Sequence, residues 1–165
     1  MPLAIVVMGV SGCGKSTVGR ALAPHLGATF LDADDFHPPA NVERMRAGIA
    51  LTDAEREPWL DALAARLQHA AAADEPIVLA CSALKRSYRD ALRRGAPALH
   101  LVHLTGSPAL LAERIGARAD HYMPPTLLPS QLATLEPPAA DERPITLDVS
   151  ASTDALVAAL LEHLK

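Results

Sequence analysis

Short apolar runs alternate along the chain with longer segments in which apolar residues recur at helical spacing. Such runs predict strands that are buried on both faces, and the segments between them predict amphipathic helices. The alternation is typical of βα units, so we expect an α/β fold whose parallel sheet is covered by helices on both sides. The predicted strands are residues 3–8, 29–32, 77–81, 99–104 and 145–149, and the predicted helices are residues 15–26, 41–47, 54–73, 84–93, 108–117 and 153–164.

The segment from residue 120 to residue 138 interrupts this alternation, because it contains five prolines. Proline lacks a backbone N–H group and fixes its φ angle, so it punctuates helices and strands. The composition fits a hinged flap as well as a stiff connection, and both interpretations stay open.

The strongest chemical signal lies between the first strand and the first helix, where residues 9–16 read Gly-Val-Ser-Gly-Cys-Gly-Lys-Ser. Glycines let the backbone wrap closely around a phosphate chain and point its N–H groups at the oxygens. The following helix directs the positive end of its dipole at the same anion. We therefore predict that this loop binds the phosphates of a nucleotide. The predicted binding residues are Gly9, Ser11, Gly12, Cys13, Gly14, Lys15, Ser16 and Thr17.

A second group of polar residues follows the second strand, where Asp32 and Asp34 stand two positions apart. Strands that neighbour the phosphate-loop strand deliver their carboxyl ends to one crevice, and alternate residues of an extended segment point the same way. We therefore expect both carboxylates near the terminal phosphate. Lys15 is predicted to contact the β- and γ-phosphates, and Ser16 and Asp32 are predicted to hold Mg²⁺. Asp34 is predicted to orient and deprotonate an acceptor hydroxyl.

Length and charge narrow the class of protein. A chain of 165 residues, half of them apolar, fits one domain with one core. The formal net charge of −4 and the lack of a basic run argue against nucleic-acid binding. No apolar stretch approaches the ~20 residues that cross a bilayer. The two cysteines make no disulfide framework, so we expect a soluble, cytoplasmic protein without a membrane anchor.

Several strings, in the right order over nearly the whole chain, resemble the bacterial and eukaryotic gluconokinase family. The phosphate loop is shared with many unrelated proteins, and the Asp-x-Asp pair also resembles shikimate kinase, so other strings discriminate. They are Asp-x-x-His-Pro at residues 34–38, Asp-x-x-Arg-x-Pro-Trp at residues 53–59 and Cys-Ser-Ala-Leu-Lys at residues 81–85.

The resemblance implies a three-layer α/β/α fold similar to that of nucleoside monophosphate kinases, with a five-stranded parallel sheet and a small lid. It implies phosphorylation of D-gluconate at its 6-hydroxyl, with ATP and Mg²⁺ as cofactors, and a homodimer. Residues 1–165 then form one kinase domain, with a substrate-binding region at about 34–60 and a lid at about 116–135.

Gluconate is a polyol with one carboxylate, so its pocket needs cations and several hydrogen-bonding groups. The candidate cations are Arg56, Lys85, Arg86 and Arg89. For Arg86 and Arg89, a position on a solvated helix face is an open alternative to contact with the ligand. Asp53 is expected to cap a helix, and Trp59 is expected to pack as its anchor. The predicted substrate-binding residues are Asp34, His37, Arg56, Ser82, Lys85 and Arg89.

Arg114 and Arg118 stand four residues apart, which puts both on one helix face before the proline-rich segment. They resemble lid arginines that neutralise the transferring phosphoryl group, with a surface pair as the alternative. We therefore predict Lys15, Asp34 and these two arginines as the catalytic residues. Whether His121 and Gln131 support the lid or touch substrate stays open.

The phosphate loop is compatible with other functions as well. A shikimate- or nucleotide-type kinase is the alternative enzyme, and a nucleotide-binding module without catalysis is the alternative non-enzyme. A GTPase is excluded, because the only asparagine, Asn41, is followed by Val42 and no Asn-Lys-x-Asp motif exists. A lone Asp at the end of the third strand is also missing, so Mg²⁺ positioning depends on Ser16 and Asp32.

Overall fold

The computed structural model describes residues 2–116 and 125–165. Within these ranges, five parallel strands form one sheet in the order β2-β3-β1-β4-β5. Nearly every residue of the adjacent strands β1 and β3 is buried and apolar, as expected for strands that are covered on both faces. The strands are β1 (Ala4–Met8), β2 (Thr29–Asp32), β3 (Ile77–Ala80), β4 (His100–Thr105) and β5 (Ile145–Asp148).

Helices cover both faces of the sheet, which confirms the predicted three-layer α/β fold. In one layer α3 packs against α4, so closely that a Cβ on Gly95 would lie 2.1 Å from the carbonyl oxygen of Ala64. Elsewhere α1 packs against α7. The helices are α1 (Lys15–Leu22), α2 (Pro39–Arg46), α3 (Asp53–Ala72), α4 (Arg86–Gly95), α5 (Pro108–Gly116), α6 (Leu128–Thr134) and α7 (Thr153–His163).

Two helices differ from the sequence-based prediction for reasons that involve proline. α1 ends at Leu22, and the chain continues as a 3₁₀ turn, Ala23–Leu26, that has proline in its first turn. α6 was not predicted at all. Its Pro129 lies at the N-terminus, where the missing N–H group would have had no partner within the helix anyway.

The start of α3 corrects the expected helix cap. Thr52 is the N-cap, because its hydroxyl accepts a hydrogen bond from the Glu55 N–H group and the Glu55 carboxylate accepts one from the Thr52 N–H group. Asp53, expected to be the cap, is instead the first helical residue. Its carboxylate is therefore available for contacts outside the helix. Trp59 is 2% exposed and anchors the helix as predicted.

A crevice forms at the carboxyl ends of β1 and β3. These strands are adjacent, yet the helix after β1 packs with α7 whereas the helix after β3 packs with α3. Such divergence opens a ligand-binding crevice in α/β sheets. β3 separates β2 from β1, so the expectation that β2 neighbours the phosphate-loop strand is wrong. In the described ranges, no helix combines the length and apolar character that a bilayer crossing requires.

Candidate active site

The loop between β1 and α1 has the backbone geometry of a phosphate-binding loop. Gly12 and Gly14 both adopt a φ of +85°, which side chains disfavour. A Cβ on Gly12 would also lie 2.6 Å from the carbonyl oxygen of Leu111, so the loop tolerates no side chain there. α1 begins at Lys15, and its first N–H groups open toward the loop. The loop and the helix start together offer backbone N–H groups to an anion.

The phosphate loop is braced from α6. Gln131 is buried, and its Oε1 accepts a 2.7 Å hydrogen bond from the backbone N–H group of Ser11. Cys13 is also buried and packs under Gly9, where a Cβ would lie 2.6 Å from the Cys13 sulfur. The sequence leaves the role of Gln131 open, and this contact links it to the loop that the motif predicts. Thr17, which follows Ser16 in α1, is exposed.

Ser16 and Asp32 form the pair that the sequence predicts as Mg²⁺ ligands. The Ser16 hydroxyl donates a 2.9 Å hydrogen bond to Asp32 Oδ2. Mg²⁺ prefers hard oxygen ligands and usually takes only one or two carboxylates, with phosphates and water completing its shell. A hydroxyl and a carboxylate in contact at the end of the phosphate loop fit that donor set.

Asp34 lies at the same edge of the sheet as Asp32, but the backbone that leads to it is not extended as expected. The chain leaves β2 in a 3₁₀ turn, Ala33–Phe36, rather than in extended conformation. Asp32 caps this turn, because its Oδ1 accepts a 3.0 Å hydrogen bond from the Asp34 N–H group. One carboxylate thus holds Ser16 with one oxygen and the backbone of Asp34 with the other.

The thiol of Cys81, at the end of β3, is influenced by charged residues of the crevice. The pKa of Cys81 is raised to about 12, chiefly by burial; the backbone of Ala83 and the charge of Lys15 oppose the rise, and the carboxylates of Asp34 and Asp32 add to it. The geometry agrees, because Asp32 pairs in the sheet with Ala80, the residue before Cys81, and Ser16, the residue after Lys15, bonds to Asp32. Cys81 itself stays a neutral thiol with a structural role.

Arg114 lies on the other side of the phosphate loop. It projects from α5, and its guanidinium donates a 2.6 Å hydrogen bond to the Val149 carbonyl oxygen. The same guanidinium is the nearest group to a Cβ built on Gly14, at 4.0 Å. The structure thus brings Arg114 to the phosphate loop. Arg118 and His121, also named from the sequence, lie outside the described residues.

His37 lines the acceptor side of the crevice, which we define as Asp34, His37 and Arg56. Its ring stacks on Trp59 with the centroids 4.2 Å apart and the planes inclined by 14°. Burial lowers the pKa of His37 to about 4, while the Asp34 charge opposes this shift and the Arg56 charge adds to it. His37 is therefore a neutral residue between an anion and a cation.

A group of four residues at the starts of α3 and α4, the Asp53 cluster, extends this side. The Asp53 carboxylate accepts hydrogen bonds from the Tyr88 hydroxyl and, at 3.0 Å, from Lys85. The hydrogen bond from Tyr88 lowers the pKa of Asp53 the most, and the one from Lys85 lowers it further. Arg56 donates to the same hydroxyl at 2.7 Å and lies over the Tyr88 ring. Lys85 is thus already paired, whereas Arg56 makes no ion pair with any described residue.

Arg89 does not reach the crevice, which corrects its predicted substrate-binding role. It is 1% exposed and forms a two-pronged ion pair with Glu142, at 2.7 and 3.1 Å. Its remaining nitrogen donates to the carbonyl oxygen of Ala83 at 2.9 Å. Arg93 also donates to Glu142, and we call these three charged residues the Glu142 cluster. Arg86 is exposed and pairs with Asp141, as the solvated alternative predicts.

The loop after β3 joins these regions through the carbonyl groups of Ser82 and Leu84. The carbonyl oxygen of Ser82 accepts a 3.3 Å hydrogen bond from Gly9 in the phosphate loop. That of Leu84 accepts a 2.7 Å hydrogen bond from Glu136, beyond α6. Ser82 is partly buried at the crevice, where the sequence predicts it. The loop therefore connects the phosphate loop to the end of the proline-rich segment.

Sequence reasoning missed two functional neighbours, Tyr88 and Asn41, and did not predict the contact that Gln131 makes. Tyr88 follows Lys85 by three residues, a helical spacing that would have placed both side chains together. Asn41 follows His37 by four residues, and its buried amide contacts that ring. The contact of Gln131 with Ser11 spans 120 residues, so no local pattern announces it.

Comparisons with known proteins agree over most of the chain. A family model described as an AAA domain matches residues 5–138. Gluconokinase from Gluconobacter oxydans (strain 621H) is 48% identical over 162 residues, which cover 98% of this chain and 91% of that protein. The crystal structure of a gluconokinase from Sinorhizobium meliloti 1021 is 48% identical, with a TM-score of 0.84 over 99% of this chain and 95% of that one. An unliganded sugar kinase from Janibacter sp. HTCC2649 is 43% identical, with a TM-score of 0.95 over 99% and 95% of the two chains.

Proposed function

Because this chain belongs to the gluconokinase family, we propose that it transfers the γ-phosphoryl group of ATP to the 6-hydroxyl of D-gluconate. The observation that carries the proposal is that Asp32 joins the two sides of the site: it accepts a hydrogen bond from Ser16, the residue after Lys15, and another from the backbone of Asp34. A phosphate-binding group and an acceptor-binding group must stand side by side for direct transfer.

The proposed reaction is a displacement at phosphorus. The 6-oxygen of gluconate forms a bond to the γ-phosphorus, the bond to the β,γ-bridging oxygen breaks, and ADP leaves. Asp34 holds the hydroxyl and receives its proton as the new bond forms. Because the transition state is loose, positioning by Asp34 contributes more than its basicity.

The phosphate side supplies positive charge. Lys15 contacts the β- and γ-phosphates, the loop N–H groups surround them, and Arg114 neutralises charge that develops during transfer. Ser16 and Asp32 would hold Mg²⁺, which when bound offsets charge on the phosphates. Support comes from the 2.9 Å contact between these two side chains and from the guanidinium beside Gly14.

The acceptor side supplies recognition. We assign the gluconate carboxylate to Arg56, because of the four cations that the sequence offers for the sugar acid, Arg56, Lys85, Arg86 and Arg89, it alone lacks an acidic partner among the described residues. His37 and Ser82 bind hydroxyl groups, and Lys85 contributes from its pair with Asp53. These assignments match a ligand with one carboxylate and several hydroxyls.

Four further properties stay predictions. They are the single domain with a substrate-binding region at about 34–60, the lid at about 116–135, the homodimer and the cytoplasmic location. Arg118 is kept as the second lid arginine on the strength of its spacing from Arg114. Its contribution is measurable as a loss of turnover without a loss of ATP affinity.

The test is an acceptor panel in which ADP release and product are both measured with Mg-ATP. Gluconate is expected to be phosphorylated, while shikimate and nucleoside monophosphates are not. The Lys15→Ala variant, purified in parallel, is expected to lose about 1,000-fold in turnover because it lacks a phosphate contact, and it controls for contaminating kinases. Turnover of another acceptor without gluconate turnover, or of no acceptor, would contradict the proposal.

A further inference from the structure

The ring of His37 is held in a defined plane. It stacks on Trp59, which is 2% exposed and donates a 2.7 Å hydrogen bond from its indole N–H group to the carbonyl oxygen of Ala33. The partner in the stack is thus itself fixed by packing and by a hydrogen bond. The direction in which His37 points its two nitrogens is therefore a property of the fold.

The buried amide of Asn41 determines which of these nitrogens carries the proton. Its Nδ2 donates a 2.9 Å hydrogen bond to the carbonyl oxygen of Glu55, which can only accept. The same Nδ2 lies 3.3 Å from His37 Nδ1. An amide NH₂ group only donates, so Nδ1 must accept with its lone pair. A flipped amide would put its oxygen against the Glu55 carbonyl oxygen, so the bond to Glu55 fixes the orientation of the amide.

The proton of the neutral ring therefore resides on Nε2. Burial keeps the ring neutral at physiological pH, because it lowers the pKa of His37 to about 4. No described residue forms a hydrogen bond with Nε2, and no fully buried side-chain nitrogen or oxygen of the described residues lacks a partner. Nε2 consequently reaches solvent, on a residue whose electrostatic neighbours are Asp34 and Arg56.

We propose that Asn41 is a positioning residue that keeps His37 in the Nε2–H tautomer, so that the ring offers a hydrogen-bond donor to an oxygen of the sugar acid. This inference rests on the proposed function. The opposite tautomer would present a lone pair, which repels a carboxylate and pairs only with hydroxyl protons. Asn41 thereby contributes to specificity without touching the substrate.

The decisive variant is Asn41→Asp, because a carboxylate only accepts and draws the proton to Nδ1. In ¹⁵N NMR of histidine-labelled protein, His37 is expected to change from the neutral Nε2–H form to the neutral Nδ1–H form, which no longer donates from Nε2. The KM for gluconate is expected to rise about tenfold, as for one lost hydrogen bond. The KM for ATP is expected to stay within about twofold, because the phosphate loop is unchanged.

A matched pair at His37 separates tautomer control from general packing. Glutamine places its amide N–H group near the position of Nε2, whereas asparagine places it near that of Nδ1. We expect His37→Gln to keep a lower gluconate KM than His37→Asn. In the His37→Gln background, adding Asn41→Asp is expected to change the KM by less than about twofold, since no tautomer remains to control.

Three results would overturn the inference. They are an Nδ1–H form in the wild type, an unchanged tautomer in Asn41→Asp, and a changed tautomer with an unchanged gluconate KM. The wild-type spectrum and the pair at His37 keep the test decisive even where Asn41→Asp does not fold. Failure of the wild type to phosphorylate gluconate would instead contradict the proposed function, while the spectrum still decides the role of Asn41.

Discussion

The Asp53 and Glu142 clusters both gather basic side chains from the loop and helix after β3, yet they differ in exposure. The Asp53 side chain is 64% exposed, and the side chain of Lys85 beside it is 29% exposed. The Glu142 side chain is 1% exposed, and Arg89 beside it is equally buried. A cation of the Asp53 cluster can still reach an anionic ligand. A cation buried in the Glu142 cluster cannot, because its charge is taken up by a structural ion pair.

The difference shows that proximity in sequence does not decide which cation binds substrate. Lys85 and Arg89 are four residues apart at the start of α4, but one faces the exposed carboxylate and the other the buried one. Breaking a buried pair leaves an uncompensated charge, which is costly, whereas an exposed pair contributes little to stability. The two clusters should therefore respond to mutation in different measurements.

The largest effect is expected for Arg89→Met. It leaves Glu142 buried with only Arg93, so the free energy of unfolding should fall by about 3 kcal/mol. Urea denaturation measures this loss. The control is Arg93→Met, which removes a partly exposed partner of the same carboxylate and should cost about 1 kcal/mol. An Arg89 variant of normal stability with a raised gluconate KM would restore Arg89 as a substrate residue.

Arg56→Met is expected to act on binding instead. Loss of a charge-assisted contact with the gluconate carboxylate should raise the KM for gluconate about 10- to 100-fold, with stability changed by less than about 1 kcal/mol. Steady-state kinetics with varied gluconate provide the measurement. Arg94→Met, which removes an exposed arginine paired with Asp61, is the matched control and should change the KM less than about twofold. An unaltered KM in Arg56→Met would remove the proposed anion contact.

The arginines also show which features of the site can be predicted from the sequence and which cannot. The phosphate loop is contiguous, so its order of residues predicts Lys15 and Ser16 at the start of a helix. The sheet follows from apolar runs that are buried on both faces. The burial of Arg89 depends on Glu142, which is 53 residues away and joins it only in the folded chain. Asp34 came to the predicted edge although the extended geometry behind that prediction was wrong.

The smallest expected difference between the clusters is in how the free energy of unfolding changes at acidic pH. Although burial opposes ionisation, hydrogen bonds from Arg89 and Arg93 lower the pKa of Glu142 to about 2. A carboxyl whose folded pKa is depressed stabilises the protein above its ordinary pKa and loses that contribution as the pH falls toward the folded value. The free energy of unfolding should therefore fall between about pH 5 and pH 2.

Denaturation at several pH values in physiological salt separates the two carboxylates. Glu142→Gln should reduce the acid dependence of stability, because it removes the group that titrates in the buried cluster. Asp53→Asn should leave that dependence nearly unchanged, since solvent and salt screen an exposed pair. Equal slopes in Glu142→Gln and the wild type would contradict the structural role given to that cluster.

Turnover of Asp34→Asn tests most directly whether the phosphate and acceptor sides meet at the end of β3. The amide keeps the shape of the carboxylate but cannot take a proton, so kcat for gluconate is expected to fall about 100-fold. The dissociation constant of ATP, measured on the same preparation, is expected to stay within about twofold of the wild type, because Lys15 and the loop are untouched. A variant with near-wild-type kcat would contradict the proposed role of Asp34 and, with it, the arrangement of the site.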